Sequence, residues 1–418
     1  MRGVIVYCFL HGLRGFMSVT APQGSGNSST FWPIFIMALG TFILGLTEFA
    51  SMSMLPLIAA SFDVTPSAAG YVISGYAIGV VIGAPLFMLL TNKMNRRTAL
   101  MLFTGMMCIA NGLSAIATSL PEMVFYRVLS GLPHGAYFAT SLLVAASMAP
   151  MGKRASYMSF VFSGLTIATI VGVPMATLVG QYVSWRLCMA IVAVLALVAT
   201  LLVYKLVPSS PVTKPTSLKD EFGVLKNKLV WSISGIIFIG FGGVFCIYTY
   251  LADTILVVTE TPEYTISIAM MMFGIGTTIG NWACGKLADK SPVSTTGIAL
   301  LCSVVIAVLY VQAAHNIWLL YLAVFCLGAS VGLAAVIQSM LLDVSPTGHA
   351  MIGALVQCAF NTANAIGPWV GGALLAGGAT FNQTGYASAM LFFGGFLMWA
   401  LSCVLMRKRN IQFVKAPA

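Results

Sequence analysis

KLVPSSPVTKPTSLKDEFGVLKNK, residues 205–228, is the one long polar stretch inside an otherwise apolar chain. It holds five lysines, three prolines and a single acidic pair, Asp220 and Glu221. Such a segment lacks the apolar surface to fold alone and predicts a linker lying on a membrane surface. On either side lie two almost wholly apolar tracts of nearly equal length, 31–204 and 229–406. Neither suits a water-soluble domain: of 418 residues 59% are hydrophobic and 7% charged, with mean hydropathy +0.97, whereas soluble domains are about 25% charged. The near-equality of the tracts predicts a duplicated architecture.

A helix that crosses a bilayer needs about 20 predominantly apolar residues. By that measure the first tract divides into spans at 31–59, 67–90, 98–118, 122–146, 155–180 and 185–204. The second divides at 229–252, 265–287, 294–314, 317–341, 349–376 and 385–406. The expected fold is an all-α membrane protein with twelve transmembrane helices in two six-helix, pseudo-repeated bundles. Tails at 1–30 and 407–418 flank it. The apolar run from Val4 to Leu10 is too short to cross, and no small-residue cleavage site follows it, so the first tail is expected to remain as a cytoplasmic one.

Basic residues orient the chain, because short cytoplasmic loops retain an excess of Lys and Arg. Alternating the loops gathers 18 of the 20 on one side, the linker's side, leaving Arg127 and Arg186 in or beside spans. The opposite loops hold Asp63, Glu260 and Glu263. Both termini are therefore expected in the cytoplasm. The net charge of +10 is orientational and does not point to nucleic acid, which needs basic residues interleaved with aromatics on one exposed face. The nine cysteines sit singly in apolar segments, and the histidines at 11, 134, 315 and 349 do not cluster, so neither a metal site nor an enzyme active site is expected. No glycine-rich segment ends in Gly-Lys-Ser/Thr, and no cofactor is expected.

Charge at membrane depth is costly enough to mark each intramembrane ionisable group as a functional candidate. Glu48 lies roughly 25 Å along the first span, at ~1.5 Å per residue, with apolar neighbours. It suits either proton exchange or a packing hydrogen bond to another helix. Arg127 shares a helical stripe with Ser130, Gly131 and His134. An arginine keeps its proton in a protein, so its role is to set the local potential or to form a structural pair. His134 suits a proton relay or an interhelical bond. Among Asn111, Gln338, Gln357, Asn361 and Asn364, the choices for substrate contact are Gln338 and Asn361, with Tyr248 supplying an aromatic face and a polar tip.

The halves echo one another. Asn92-Lys93-Met94-Asn95-Arg96-Arg97 follows the second span, and Gly285-Lys286-Leu287-Ala288-Asp289-Lys290 follows the eighth. Gly172, Pro174 and Gly180 in the fifth span find counterparts in Gly367, Pro368 and Gly371 in the eleventh. Glycines allow close backbone approach and prolines permit bends, which suits helices at a seam between halves that rock. Matching repeats in two six-span halves are what many transporters show.

These residues resemble the major facilitator superfamily, in particular its twelve-span drug:proton antiporter branch and the arabinose-induced and sugar-efflux permease type. The resemblance covers about 31–406. The family's Gly-x-Leu-Ala-Asp-Arg/Lys loop is matched at Gly285 to Lys290; the first-half copy departs from it, with Met88 for Gly and Asn92 for Asp. Arg127 with Gly131 matches the fourth-span motif, and Pro133-His134-Gly135 follows as in the efflux type. Gly172, Pro174 and Gly180, closing on Trp185-Arg186, match the fifth-span antiporter motif. Gly40, Gly45, Glu48, Phe49, Leu55 and Pro56 in the first span look like that type, as do Phe360, Asn361, Asn364 and Gly367 in the eleventh.

The resemblance implies a monomeric inner-membrane secondary transporter exporting a small organic solute, such as a sugar, nucleoside or drug, in exchange for protons. Its energy source is the proton gradient. Glu48, Arg127 and His134 would couple protons. Asn92, Lys93, Arg96, Arg97, Gly285, Asp289 and Lys290 would form a conformational latch. Proton-linked uptake of a metabolite, or a non-transporting membrane sensor, stands as the alternative.

Overall fold

The computed structural model describes residues 28–91, 93–150, 153–209, 222–345 and 349–408, and among these helix is the only regular structure. Lipid offers the backbone no hydrogen-bond partner, so a spanning segment must bond to itself. Among the described residues, eleven helices are long and apolar enough to cross a membrane. They are α1 (Thr30–Ser53), α2 (Pro66–Phe87), α3 (Arg96–Ala115), α4 (Leu120–Met148), α5 (Ser156–Tyr182), α6 (Trp185–Leu206), α7 (Lys228–Thr249), α8 (Tyr264–Lys290), α9 (Pro292–Ala313), α10 (Ile317–Asp343) and α12 (Phe381–Lys408). The twelfth, α11 (His349–Ala376), has 28 residues and is made less apolar by Gln357, Asn361, Thr362 and Asn364. Side-chain N-caps fix where several begin: Asn95, Ser184, Asn227, Ser291 and Asn316 each accept a bond from the first turn. The expected all-α, twelve-helix membrane fold is the one observed.

Each half is held by the same crossing. In the first, Gly75, Gly79 and Gly83 of α2 meet the backbone of α4 at Val124, Val128 and Leu132, while Gly131 of α4 meets the Tyr76 carbonyl. In the second, Gly276 and Gly280 of α8 meet Phe325 and Ala329 of α10, and Gly328 meets Phe273. Gly79, Gly83 and Gly131 and their partners recur at one constant interval along the chain. Lipid gives no hydrophobic drive between helices, so backbone-to-backbone packing at small residues supplies the adhesion.

The duplication extends to the helix ends. α1 breaks at Met54 (φ −101°, ψ 10°) and resumes over Leu55–Ser61; α7 breaks at Tyr250 (φ −102°, ψ 13°) and resumes over Leu251–Asp253. Each extension is followed by a residue with positive φ, Asp63 at 52° and Glu260 at 53°. The second is one residue longer because Thr254–Val258 form a π-helical turn, which absorbs an inserted residue. A second such turn, Ala168–Gly172, precedes Pro174 in α5. Proline has no N–H to offer the preceding turn, and the wider coil accommodates that loss.

The halves meet where α2 lies along α11 and α5 along α8. Ser67 and Ser74 donate to the Gly372 and Ala365 carbonyls at 3.0 and 3.2 Å, and the Cys358 thiol to Val81 at 3.6 Å. Gln181 donates to the Glu263 carbonyl at 2.9 Å. Among the described residues these crossing bonds run from the end remote from the linker to a little past mid-depth. The glycines expected at this seam face elsewhere. Gly172 faces Phe42 and Leu46 and Gly180 faces Met54, while Gly367 faces Gly242 and Cys246 and Gly371 faces the Tyr250 ring. They seat α5 on α1 and α11 on α7, each inside its own half. Pro174 is buried beside them in α5, and Pro368 accepts a 2.8 Å bond from the Tyr250 hydroxyl. The glycines that do face the seam include Gly274 of α8, against the Thr169 backbone, and Gly372 of α11, against Ser67 of α2.

Filling a backbone crossing should be costly. Gly79→Leu and Gly280→Leu are expected to lose about 1–3 kcal/mol in thermal unfolding of the detergent-solubilised protein. Gly105→Ala, with nothing within 4 Å of its added carbon, should stay within about 0.5 kcal/mol. Equal losses at all three would show that the crossings are not what holds the halves.

Candidate functional site

Glu48 comes from the last two turns of α1 and is 3% exposed. Its Oε1 accepts a 3.0 Å bond from Nδ2 of Asn364 on α11, so one side chain from each half makes the contact. Arg127 of α4 is fully buried. Its Nη2 donates to the carbonyl of Thr47 at 2.7 Å, and its guanidinium lies 4.5 Å over the Tyr76 ring. Nε and Nη1 have no partner among the described residues. Arg127 thus grips the residue next to Glu48 without a direct bond to the carboxylate.

Tyr76 owes its place to its neighbours: Gly75 and Gly79 bring α2 against α4 on either side of it. Its hydroxyl and His134 Nδ1 share a 2.6 Å hydrogen bond. His134 begins the second part of α4, after Leu120–Gly131 ends at Leu132-Pro133. The stripe of Arg127, Ser130, Gly131 and His134 is therefore buried as a unit, with Tyr76 as its organiser. Asn111 of α3 joins through a 3.4 Å bond to the Thr47 hydroxyl. Of the charged pair, only Glu48 can become neutral, since the guanidinium holds its proton.

The residues chosen for substrate contact separate. Tyr248 is buried between Phe49 of the first half, at 5.9 Å, and Phe273 of α8, at 4.2 Å. Asn361 is buried and donates to the Gln357 carbonyl at 3.1 Å, leaving Oδ1 enclosed without a partner. Gln338 is exposed on α10, with Val336, Ile337 and Met340 turned inward around it, and no hydrogen bond or ring contact joins it to the other two.

The latch residues lie at the linker end. Asn92 falls outside the described residues. Lys93 is exposed, and Arg96 and Arg97 are half-buried, with Arg97 5.6 Å over the Tyr204 ring. Gly285 has nothing within 4 Å of an added carbon, and Asp289 and Lys290 are exposed. Asp289 makes no ion pair or hydrogen bond among the described residues. Arg186, the other base off the charge pattern, donates to the Ala115 and Ala117 carbonyls at 3.3 and 2.6 Å and so caps the end of α3.

Twelve crossing helices in two repeated halves, with a polar cluster buried between them, define a membrane transporter. The chain belongs to the Major Facilitator Superfamily, whose family model matches residues 37–310. It is 33% identical over 84% of its length to the Escherichia coli K12 inner membrane transport protein YdhP, covering 90% of that protein. It is 29% identical over 92% of its length to the chloramphenicol resistance protein of Streptomyces lividans, covering 98%. A solved structure of a bacterial homolog to the human lysosomal transporter Spinster, inward-facing and occupied, has the same fold: TM-score 0.70 at 15% identity, covering 94% of this chain and 100% of that one.

Tyr76→Phe keeps the ring under Arg127 and loses only the bond to His134. It is expected to cost about 1 kcal/mol in thermal unfolding, and Tyr76→Leu clearly more. Identical losses would mean that the ring–guanidinium contact contributes nothing.

Proposed function

We propose that this transporter exports a small organic solute, such as a sugar, nucleoside or drug, in exchange for protons, as a monomer in the inner membrane with both termini cytoplasmic. The observation that carries the reading is the buried bond between Glu48 of one half and Asn364 of the other. A hydrogen bond to an ionised carboxylate is stronger than one to a neutral acid. Loading Glu48 with a proton therefore changes how firmly the halves hold together, with Arg127 as the fixed positive charge beside it. The name of the Streptomyces relative favours a drug-like solute, and that of a Helicobacter acinonychis relative, a probable sugar efflux transporter, favours efflux.

In this reading the arrangement bonded at the end remote from the linker is one of two states that alternate by rocking of the halves. Asp289 would find its partners when the linker end closes. The enclosed acceptor of Asn361 and the Tyr248 ring offer a solute one hydrogen bond and one aromatic face, while Gln338 stands apart from them.

Two experiments test the reading. In proteoliposomes with chloramphenicol as the first solute, Glu48→Gln should lower flux driven by a pH gradient by about 10- to 100-fold while binding persists, because the amide keeps the shape but carries no exchangeable charge. Wild-type coupled flux in this variant would remove Glu48 as carrier. Asp289→Asn should shift the conformational balance toward the linker-open state with solute affinity of that state unchanged, read by cysteine accessibility beside a binding assay. Lost binding with an unmoved balance would remove the latch.

A further inference from the structure

Asp253 is a buried acid that neither the proton-coupling cluster nor the latch uses. It is 5% exposed, and its Oδ2 is enclosed with no hydrogen-bond partner among the described residues. It ends the short extension Leu251–Asp253, which packs against Leu55–Ser61 and α1 of the other half. That contact belongs to the end of the molecule where the halves are bonded together.

Apart from its own backbone N–H, nothing on the elements packed around Asp253 compensates a negative charge. Two phenols neighbour it, Tyr250 and Tyr310, and both direct their hydroxyls elsewhere. Tyr250 donates to the Pro368 carbonyl at 2.8 Å and Tyr310 to the Thr254 hydroxyl at 3.0 Å. On its own helix Gly242–Thr249 brings Cys246 and Tyr248, and Thr254–Val258 brings no titratable group. Across the seam Leu55–Ser61 brings none and α1 only Glu48. None of these elements, nor α9, carries a Lys, Arg or His. The repeat does not demand an acid here: three residues past the matching break at Met54 stands Leu57.

We infer that Asp253 is a second proton-binding site, distinct from Glu48, that holds a proton while the halves are closed at the end remote from the linker and releases it when that end opens. The inference rests on the alternating-access reading above. An ionised carboxylate is costly to bury with one oxygen left unpartnered and no cation beside it, whereas the neutral acid is far cheaper to enclose. Rocking the halves apart would separate Leu251–Asp253 from Leu55–Ser61 and admit water, and hydration removes that cost. The closed state therefore binds the extra proton, so rising pH favours opening, by up to about tenfold per pH unit for one proton.

The test uses the full chain in nanodiscs, its native cysteines replaced, with nitroxides at Tyr182→Cys and Tyr264→Cys, both exposed at that end of α5 and α8. Interspin distances are collected from about pH 5 to pH 9. The separated population should grow with pH in the otherwise wild-type chain, stay small throughout in Asp253→Asn, and grow again, with a displaced midpoint, in Asp253→Glu. Glu48→Gln should retain a pH response at this end even where it abolishes coupled flux, which keeps the second site separable from the first. An unchanged response in Asp253→Asn, a response abolished by Glu48→Gln, or no pH-dependent separation in the parent would each overturn the inference; the last stands even if Asp253→Asn fails to fold.

Discussion

Every feature of this chain answers to a solvent that offers its backbone no hydrogen bonds. Inside lipid the segments must be helices, and once they are, hydrophobicity no longer brings them together. What remains is contact, and the glycine crossings of α2 on α4 and α8 on α10 supply it by letting backbones touch. These crossings give each half a stiff frame, which is what the proposed movement of the halves as bodies would require. The weaker side of the molecule is the seam, where a few serine, thiol and amide donors reach single carbonyls.

The same solvent explains why the polar cluster is both small and interlocked. Arg127 gains a carbonyl and an aromatic face but leaves two nitrogens without partners among the described residues, a costly arrangement that packing alone would not select. Tyr76 ties three functions to one position: its carbonyl meets Gly131, its ring meets Arg127 and its hydroxyl meets His134. A change in charge at Glu48 is therefore felt through Thr47, Arg127 and Tyr76 in one half and through Asn364 in the other.

Charge patterning locates the linker and the loops, and apolar run lengths locate the spans, because both are direct consequences of transfer cost. Intramembrane charge likewise singles out Glu48 and Arg127 from the residue order alone. Pairing is not legible there: nothing in the spacing says that Asn364, more than Asn361 or Gln338, reaches Glu48, since which polar side chain faces the seam depends on helix rotation. Tyr76 escapes notice as one aromatic among many, although the glycines flanking it mark a crossing. Gly172, Gly180, Gly367 and Gly371 suggest the seam yet face their own half, because a small residue signals close approach without saying to what.

The backbone repeats more faithfully than the chemistry does. Counting back from the matched breaks at Met54 and Tyr250, the place of Glu48 is held in the second half by Val244; four residues before Gly328, the place of Arg127 is held by Val324. Both valines are buried. In the other direction Asp253 stands where the first half has Leu57. A symmetric frame with charges at symmetric positions would place like groups across the seam, where they would repel or share one proton. Confining each ionisable group to one half lets the opposite half present an uncharged partner, Asn364 to Glu48 and Leu55–Ser61 to Asp253. If the halves rock as proposed, the motion would alter the surroundings of a single charge at a time, which is the condition for a proton to choose between two arrangements of the same frame.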